Sequence, residues 1–329
     1  MINLQACPVC KVADGQQAIG VFEAALHETP ADILQAGINA VLRHVLNRSD
    51  LSVDTMMCAE CRHFYLSPTF DPPEIRRFYS PEMFEVTRAE YRKSEDASGK
   101  SWAEQHGIRE AEQAGLLSEG RVLRPRLLRD FVLAALGTGA EPARIIDIGG
   151  MDGNLMSDFS GAERSVYDLS PREGAGDGTT RFLRSAEAVE AEPPFDLMIM
   201  SHVLEHEPDP AGFLQRFLRA VRPGGGAYLE VPLEYQASYV RRRGFPIGGH
   251  VNFFTARSLH RLATDAGLQV LRLRRGVFAY GETRVPILKV YAGKPLGAPA
   301  GTARRGVPFL ADLAYDLALL AEHRYVHRH

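Results

Sequence analysis

Two cysteine pairs, one glycine loop and two histidines carry most of the chemistry available to this chain. Cys7-Pro8-Val9-Cys10 and Cys58-Ala59-Glu60-Cys61 account for all four cysteines. In a reducing compartment, two C-x-x-C pairs read as one tetrahedral Zn²⁺ site, because each short knuckle offers two thiolates to a metal that favours sulfur. The competing readings are four unrelated buried thiols, or disulfides in a secreted protein. Residues 11–57 separate the pairs, so an insertion has to leave the two knuckles adjacent. The second feature is RIIDIGGMDGNLM, from Arg144 to Met156, where an apolar strand runs straight into a glycine loop. Loops of that kind grip nucleotide-type cofactors. A dinucleotide fingerprint counted from Gly149 would need glycine at the positions held by Met151 and Asn154, and no Gly-Lys-Ser/Thr follows to make a P-loop. What remains is acid-x-Gly-x-x-x-Gly, formed by Asp147, Gly149 and Gly153. His206 in LEHEPDP and His250 in GGHVNFFT are the candidate proton acceptors.

These residues need elements to position them, and the apolar patterning supplies candidates. Arg144–Ile148, Phe195–Met200 and Gly226–Val231 read as short buried strands, with Leu268–Leu273 and Val285–Tyr291 as two later ones. Phe213, Leu214, Phe217, Leu218 and Val221 predict one apolar helix face, ended by the Pro223-Gly224-Gly225-Gly226 turn. Thr255 is placed to N-cap a further helix that buries Leu259, Leu262 and Ala266 and stops at Gly267. Upstream, Leu127, Leu128, Phe131, Val132 and Leu136 make a stripe stopped by Gly137 and Gly139. Pro30–Asn47 reads as a helix inside the insertion between the knuckles. Alternating strands and helices with apolar strands predict an α/β fold, a doubly wound Rossmann-like sheet whose ligands bind beyond the carboxyl ends of the strands. The expected organisation is a small zinc-binding module with a helical insertion over 1–80 and a helical bridge over 81–140. The sheet domain follows over 141–296, then a helical tail over 297–329. In that tail Phe309–Leu320 has an amphipathic pattern suited to packing or to a subunit contact in a homo-oligomer.

Composition narrows the partners. A net charge of −3 gives no global positive field to draw the chain onto nucleic acid. No apolar stretch approaches the roughly 20 residues that span a bilayer, and no basic segment followed by an apolar run opens the chain. The expectation is a cytoplasmic protein with no membrane or nucleic-acid partner.

From about Ala143 to Lys294 the chain resembles the class I S-adenosylmethionine (SAM)-dependent methyltransferases. The ordered pieces are DIGGMDGN, then Val166-Tyr167-Asp168, FLRSAEAV, FDLMIMSHVLEHEPDP, RPGGGAYLEVP and HVNFFTARSLHRLATDAGLQVL. The resemblance implies that Asp147, Gly149 and Gly153 form the SAM loop. It also implies that Asp168, followed by Leu169, accepts hydrogen bonds from the ribose hydroxyls. Ser185 and Ala186 would cup the adenine, and Ser201 and His202 would lie beside the methionine part. The other reading of Asp168 is a helix N-cap before Leu-Ser-Pro. The N-terminal four-cysteine module, with MMCAECRHFYLSP and FYSPEMF, is similar to that of methyltransferases acting on nucleotide sugars. These often carry a larger residue followed by Asp-Gly, as Met151-Asp152-Gly153 does here. SAM has no pyrophosphate to wrap, so the loop tolerates a side chain at that position.

The resemblance therefore implies methylation of a small-molecule acceptor, a sugar or nucleotide sugar. His250 lies where sugar C-methylating relatives carry a histidine in a Tyr-His-Glu-His context. Here the context is Ile247-Gly248-Gly249-His250, and the loss of the tyrosine and glutamate favours O-methylation over C-methylation. His250 is then the candidate base, or else a helix-entry histidine bonding nearby backbone, with His206 second and expected to hold the loop after the fourth strand. Arg241-Arg242-Arg243 reads as a solvated face or as a clamp for a diphosphate. Two further readings are an RNA methyltransferase that uses the zinc module to hold RNA, and a SAM-fold scaffold without catalysis.

Overall fold

The computed structural model describes residues 1–31, 33–99, 110–137, 141–169, 179–233, 249–280 and 283–296. Arg241–Arg243, Gly139 and the 297–329 tail lie outside them. In chain order the elements are β1 Gln16–Ala25, α1 Ile33–Ala40, β2 Asp50–Cys58, β3 Phe64–Ser67, α2 Pro72–Phe78, α3 Pro81–Ser98, α4 Glu110–Leu136 and β4 Arg144–Ile148. There follow β5 Glu163–Tyr167, β6 Arg181–Leu183, α5 Ala186–Glu190, β7 Phe195–Ser201, α6 Pro210–Leu218 and β8 Val221–Pro232. The last four are β9 Asn252–Phe253, α7 Ala256–Asp265, β10 Gln269–Tyr280 and β11 Thr283–Gly293.

The larger sheet has seven strands in the order β10-β11-β8-β7-β4-β5-β6. Strands β6, β5, β4, β7 and β8 run parallel, while β11 is antiparallel to both of its neighbours. The parallel strands are buried on both faces: Ile145, Ile146, Leu197, Met198, Ile199, Met200 and Leu229 are all fully enclosed, which is why they read as continuous apolar runs. This is the predicted doubly wound Rossmann-like sheet, with one reversed strand near its edge. Its order changes direction at β4, and the carboxyl ends of β4, β5, β6 and β7 share one edge.

The helix signals mostly hold. Thr255 forms a capping box with Ser258, Leu259 and Leu262 are buried, and Gly267 follows at φ +86°. Asp209 caps α6, with Pro210 at its first position. On α4, Leu128, Phe131 and Val132 are buried as expected but Leu127 faces out. Two details need correction. Val221 opens β8 instead of ending the α6 face. The Pro-Gly-Gly-Gly run lies within β8, where pairing with β7 shifts register between Phe195–Val221 and Leu197–Gly226. Glycines there absorb the bulge.

The second sheet has four strands in the order β1-β2-β3-β9. It contains what the helix-only reading of the insertion overlooked. Residues 11–57 hold α1, which continues as one π-type turn over Val41–Leu46, and also the long antiparallel pair β1–β2. In that pair Gln16 lies opposite Cys58, so the strand before the helix returns to the second knuckle. The insertion is thus a closed excursion. The two-residue β9 comes from the other end of the chain and pairs with β3, Phe64 opposite Phe253 and Tyr65 opposite Asn252. Among the described residues, no helix is long and apolar enough to cross a membrane.

Candidate active site

The glycine loop follows β4 and is shaped by the protein's own packing. Gly149 and Gly153 adopt φ of +74° and +73°. A Cβ on Gly149 would meet Val203 Cγ2 at 2.5 Å, and one on Gly153 would meet Val166 and Thr180 methyls at 3.0 Å. The loop therefore needs these glycines before any ligand arrives. Met151 also has positive φ, at 48°, and its side chain is exposed. Its backbone N–H donates to Asp168 Oδ2 at 3.0 Å, so the acid ending β5 is tied to the loop ending β4. Leu169, next in the chain, is exposed.

Asp147, the last acid before the loop, is buried, and its Oδ2 has no hydrogen-bond partner. Burial pushes its carboxyl up to about 8; Arg124 opposes that shift, while Asp168, Asp152 and Glu230 add to it. Two strands over, after β6, Ser185 caps α5 by accepting from Ala188 N at 3.1 Å, with buried Ala186 beside it. A positive group, such as the ammonium of an amino-acid-like ligand, fits an orphaned acid at the mouth of this loop. The residues present therefore suit SAM.

At the end of β7 the structure assembles a polar cluster. Ser201 Oγ donates to Glu230 Oε1 at 2.9 Å and accepts from Arg124 Nη2 at 3.0 Å. Arg124 also pairs directly with Glu230, whose other oxygen accepts from Tyr228 Oη at 2.6 Å. His202 has φ 56° and lies 3.6 Å from Glu230 through Nε2 and 3.2 Å from Glu205 Oε1 through Nδ1. His206 Nε2 is 3.9 Å from the same Glu205 oxygen. The His206 and His250 rings meet edge to face with centroids 4.6 Å apart. Burial alone would raise the Glu205 carboxyl, but the imidazoles of His202, His206 and His250 more than offset it and hold it down to about 2. Burial, with His250 nearby, pushes His206 down to about 4. His206 is therefore neutral near pH 7. His250 is half-buried at the site's rim.

The loop before β9 reaches that rim because the second sheet holds it there. Leu66 N–H donates to Val251 O, and the Val251 and Asn252 N–H groups donate to Glu205 O. Asn252 Nδ2 donates to the carbonyls of Leu204 and Glu207, and its Oδ1 lies 3.0 Å from His63 Nε2.

The four cysteines meet as one cluster, with all Sγ atoms within 4.8 Å of one another. Cys7 and Cys61 are 3.6 Å apart, as are Cys10 and Cys58. The Cys61 thiol holds Cys7 down to about 5, burial raises Cys10 to about 12, and the neighbouring Cys7 thiolate drives Cys61 far above its ordinary value. Beside the Cys7 thiolate, the raised Cys10 and Cys61 thiols give up their protons only against an added positive charge.

Arg124, Glu205 and Glu230 were not among the residues singled out from the sequence. Glu205 stood inside LEHEPDP, beside a histidine that drew attention. Arg124 and Glu230 are 106 positions apart and share no motif.

Residues 121–273 match a family model described as a methyltransferase domain. A ubiquinone biosynthesis O-methyltransferase of Thiobacillus denitrificans is 28% identical over 171 residues, 45% of this chain and 71% of that protein. An uncharacterized methyltransferase of Mycobacteroides abscessus is 31% identical over 137 residues, 38% of this chain and 49% of that one. Among solved structures, the 1,6-didemethyltoxoflavin-N1-methyltransferase of Burkholderia thailandensis, with bound S-adenosylhomocysteine, aligns at TM-score 0.41 and 19% identity. That alignment covers 72% of this chain and 97% of that one. The sheet order, the glycine loop and the matched domain together make this chain an enzyme that carries a class I SAM-dependent methyltransferase domain.

Proposed function

We propose that the enzyme O-methylates a small molecule bearing a hydroxyl, a sugar or sugar-bearing metabolite foremost. The observation that carries this reading is the His206–His250 ring contact at the carboxyl end of β7, beside the Ser201–His202 turn. SAM supplies an already activated methyl group, so the protein has to align the acceptor oxygen with it and remove a proton. The Gly149–Gly153 loop and Asp168 hold the adenosine ribose, Ser185 and Ala186 flank the adenine, and Ser201 and His202 border the methionine part. Asp147 faces the ammonium end. His250, half-buried at the rim, takes the acceptor proton. The name of the Thiobacillus relative supports oxygen as the acceptor atom. The clustered cysteines support the sugar class, through the resemblance to four-cysteine sugar methyltransferases. We infer that Cys7, Cys10, Cys58 and Cys61 hold one structural Zn²⁺.

Labelled methyl transfer from SAM to a panel of sugars, nucleotide sugars and phenols tests the reading. In wild type, label should appear on an oxygen of one class. His250→Ala should lower turnover by about 10²–10⁴-fold with SAM affinity nearly unchanged. Turnover within a few-fold of wild type would remove His250 from proton transfer. A collapse of SAM affinity would assign it to the cofactor or the fold.

A further inference from the structure

Two buried carboxylates stand at the carboxyl ends of β7 and β8, and the protein treats them differently. Glu230 is fully served: Arg124, Ser201, Tyr228 and, at 3.8 Å, Lys289 all reach it. Glu205 is completely enclosed, yet neither of its oxygens has a hydrogen-bond partner among the described residues. No guanidinium or ammonium is paired with it among the described residues; what faces it is imidazole. His202 Nδ1 lies 3.2 Å from Oε1 and His206 Nε2 3.9 Å. His250 completes the ring from a different segment. One donor atom each from Glu205, His206 and His250 falls within 4.8 Å of the other two. A buried carboxylate needs compensating positive charge, and a cation held among these imidazoles would supply it where neutral imidazoles do not.

The donor set says what the positive group would be. Two imidazole nitrogens and one carboxylate oxygen suit borderline first-row cations, whereas Mg²⁺ and Ca²⁺ prefer oxygen ligands throughout. The three donors come from a turn at the end of β7 and from the segment leading into β9. They can therefore leave coordination positions open toward the acceptor side. Backbone bonds already fix both segments, since Glu205 O accepts from Val251 and Asn252. That preorganisation is what a metal site needs from its surroundings.

We propose that Glu205, His206 and His250 form a binding site for one divalent first-row transition cation, separate from the four-cysteine cluster. Binding of the ion does not depend on the methyl-transfer reading; its part in the reaction does. There the acceptor hydroxyl would occupy an open position, and the ion would make its proton easier to lose. The oxygen then attacks the SAM methyl, forming an O–C bond as the C–S bond breaks. Sulfur keeps the electron pair as a neutral thioether, and the hydroxyl proton leaves to solvent. His250 would in that case hold the ion instead of taking the proton.

Cobalt is the probe. The full chain is purified with zinc on its cysteines, stripped of loosely held metal, titrated with CoCl₂ and assayed for metal after desalting. The expected result is one extra Co²⁺ equivalent with visible d–d absorption and none of the intense sulfur-to-cobalt bands that exchange at the cysteines would give. His250→Ala and His206→Ala should each weaken this binding by at least about 100-fold, beyond the usual loss from removing a supporting partner. Circular dichroism and SAM affinity confirm that each variant is folded. No extra equivalent at about millimolar cobalt would overturn the site. So would a nitrogen- and oxygen-type signal that survives in both variants. A chain that binds cobalt this way but methylates no acceptor leaves the ion site standing and removes the O-methylation reading.

Discussion

Asp168 and Asp147 end neighbouring strands but solve different physical problems. Asp168 has one oxygen on the Met151 N–H, which fixes the loop, and the proposed ribose contact uses the same carboxylate. Asp168→Ala should weaken SAM binding by roughly 1.5–3 kcal/mol, the range for hydrogen bonds to a charged group. Calorimetry giving an unchanged affinity would leave Asp168 as a brace for the loop alone. Asp147 is buried without a partner on Oδ2, and its carboxyl is raised to about 8 from an unfolded value of about 3.9. Below the unfolded value both states keep the proton, and the ligand-free fold has its full share of stability from this group. As pH rises toward about 8 the unfolded chain has released its proton while the folded chain still holds it, so stability falls across that window and levels off above it. Asp147→Asn should remove that fall, gaining on the order of 1–3 kcal/mol relative to wild type at alkaline pH. Urea midpoints at about pH 5 and about pH 9, without SAM, measure this. An equal loss in both proteins would clear Asp147 of the effect.

Among the elements, legibility followed the strength of local pattern. Strands such as Arg144–Ile148 and Phe195–Ser201 are buried on both faces, so each is an apolar run with turn signals at its ends. The α7 capping box announced itself through Thr255. By contrast β1 has Val21 exposed and only a mixed burial pattern, and β9 is too short to carry any pattern. Pairings between distant segments, such as β3 with β9 or Arg124 with Glu230, leave no trace at the scale of a motif. The candidate site was legible in part for the same reason. His206 and His250 were visible as residue types, but Glu205 gains meaning only when β7 and the β9 segment meet. Asn252 holds that meeting together, bonded to His63, Leu204 O and Glu207 O. Asn252→Ala strands those buried groups and should cost about 1–3 kcal/mol of stability. It should lower turnover far more than SAM affinity, because the His250 segment loosens while the β4–β5 loop does not. Denaturant melts beside separate measurements of kcat and SAM Kd check it; equal losses in both would point to general unfolding.

For the whole molecule, the cysteine cluster and the methyltransferase sheet are mechanically joined. Cys7, Cys58 and Cys61 belong to the same continuous apolar core as Phe254, Leu259 and the β7–β8 interior. Stripping the proposed zinc with a chelator should therefore loosen the four-stranded sheet and, through β9, the His250 segment, before it disturbs the glycine loop. Methyl transfer should be lost while SAM binding persists, and hydrogen exchange should rise first in β1–β3. If chelation leaves those amides protected, the cysteines hold the fold without metal. The β3–β9 pairing also sets an order of events during synthesis. The first three strands leave the ribosome long before Asn252 and Phe253, which pair with Tyr65 and Phe64 far upstream. Until then β3 presents an open edge, which is the condition for mispairing with another nascent chain. A zinc ion captured early by the two knuckles would fasten β1–β3 during that wait, so metal supply would govern how much of the newly made protein reaches its native pairing.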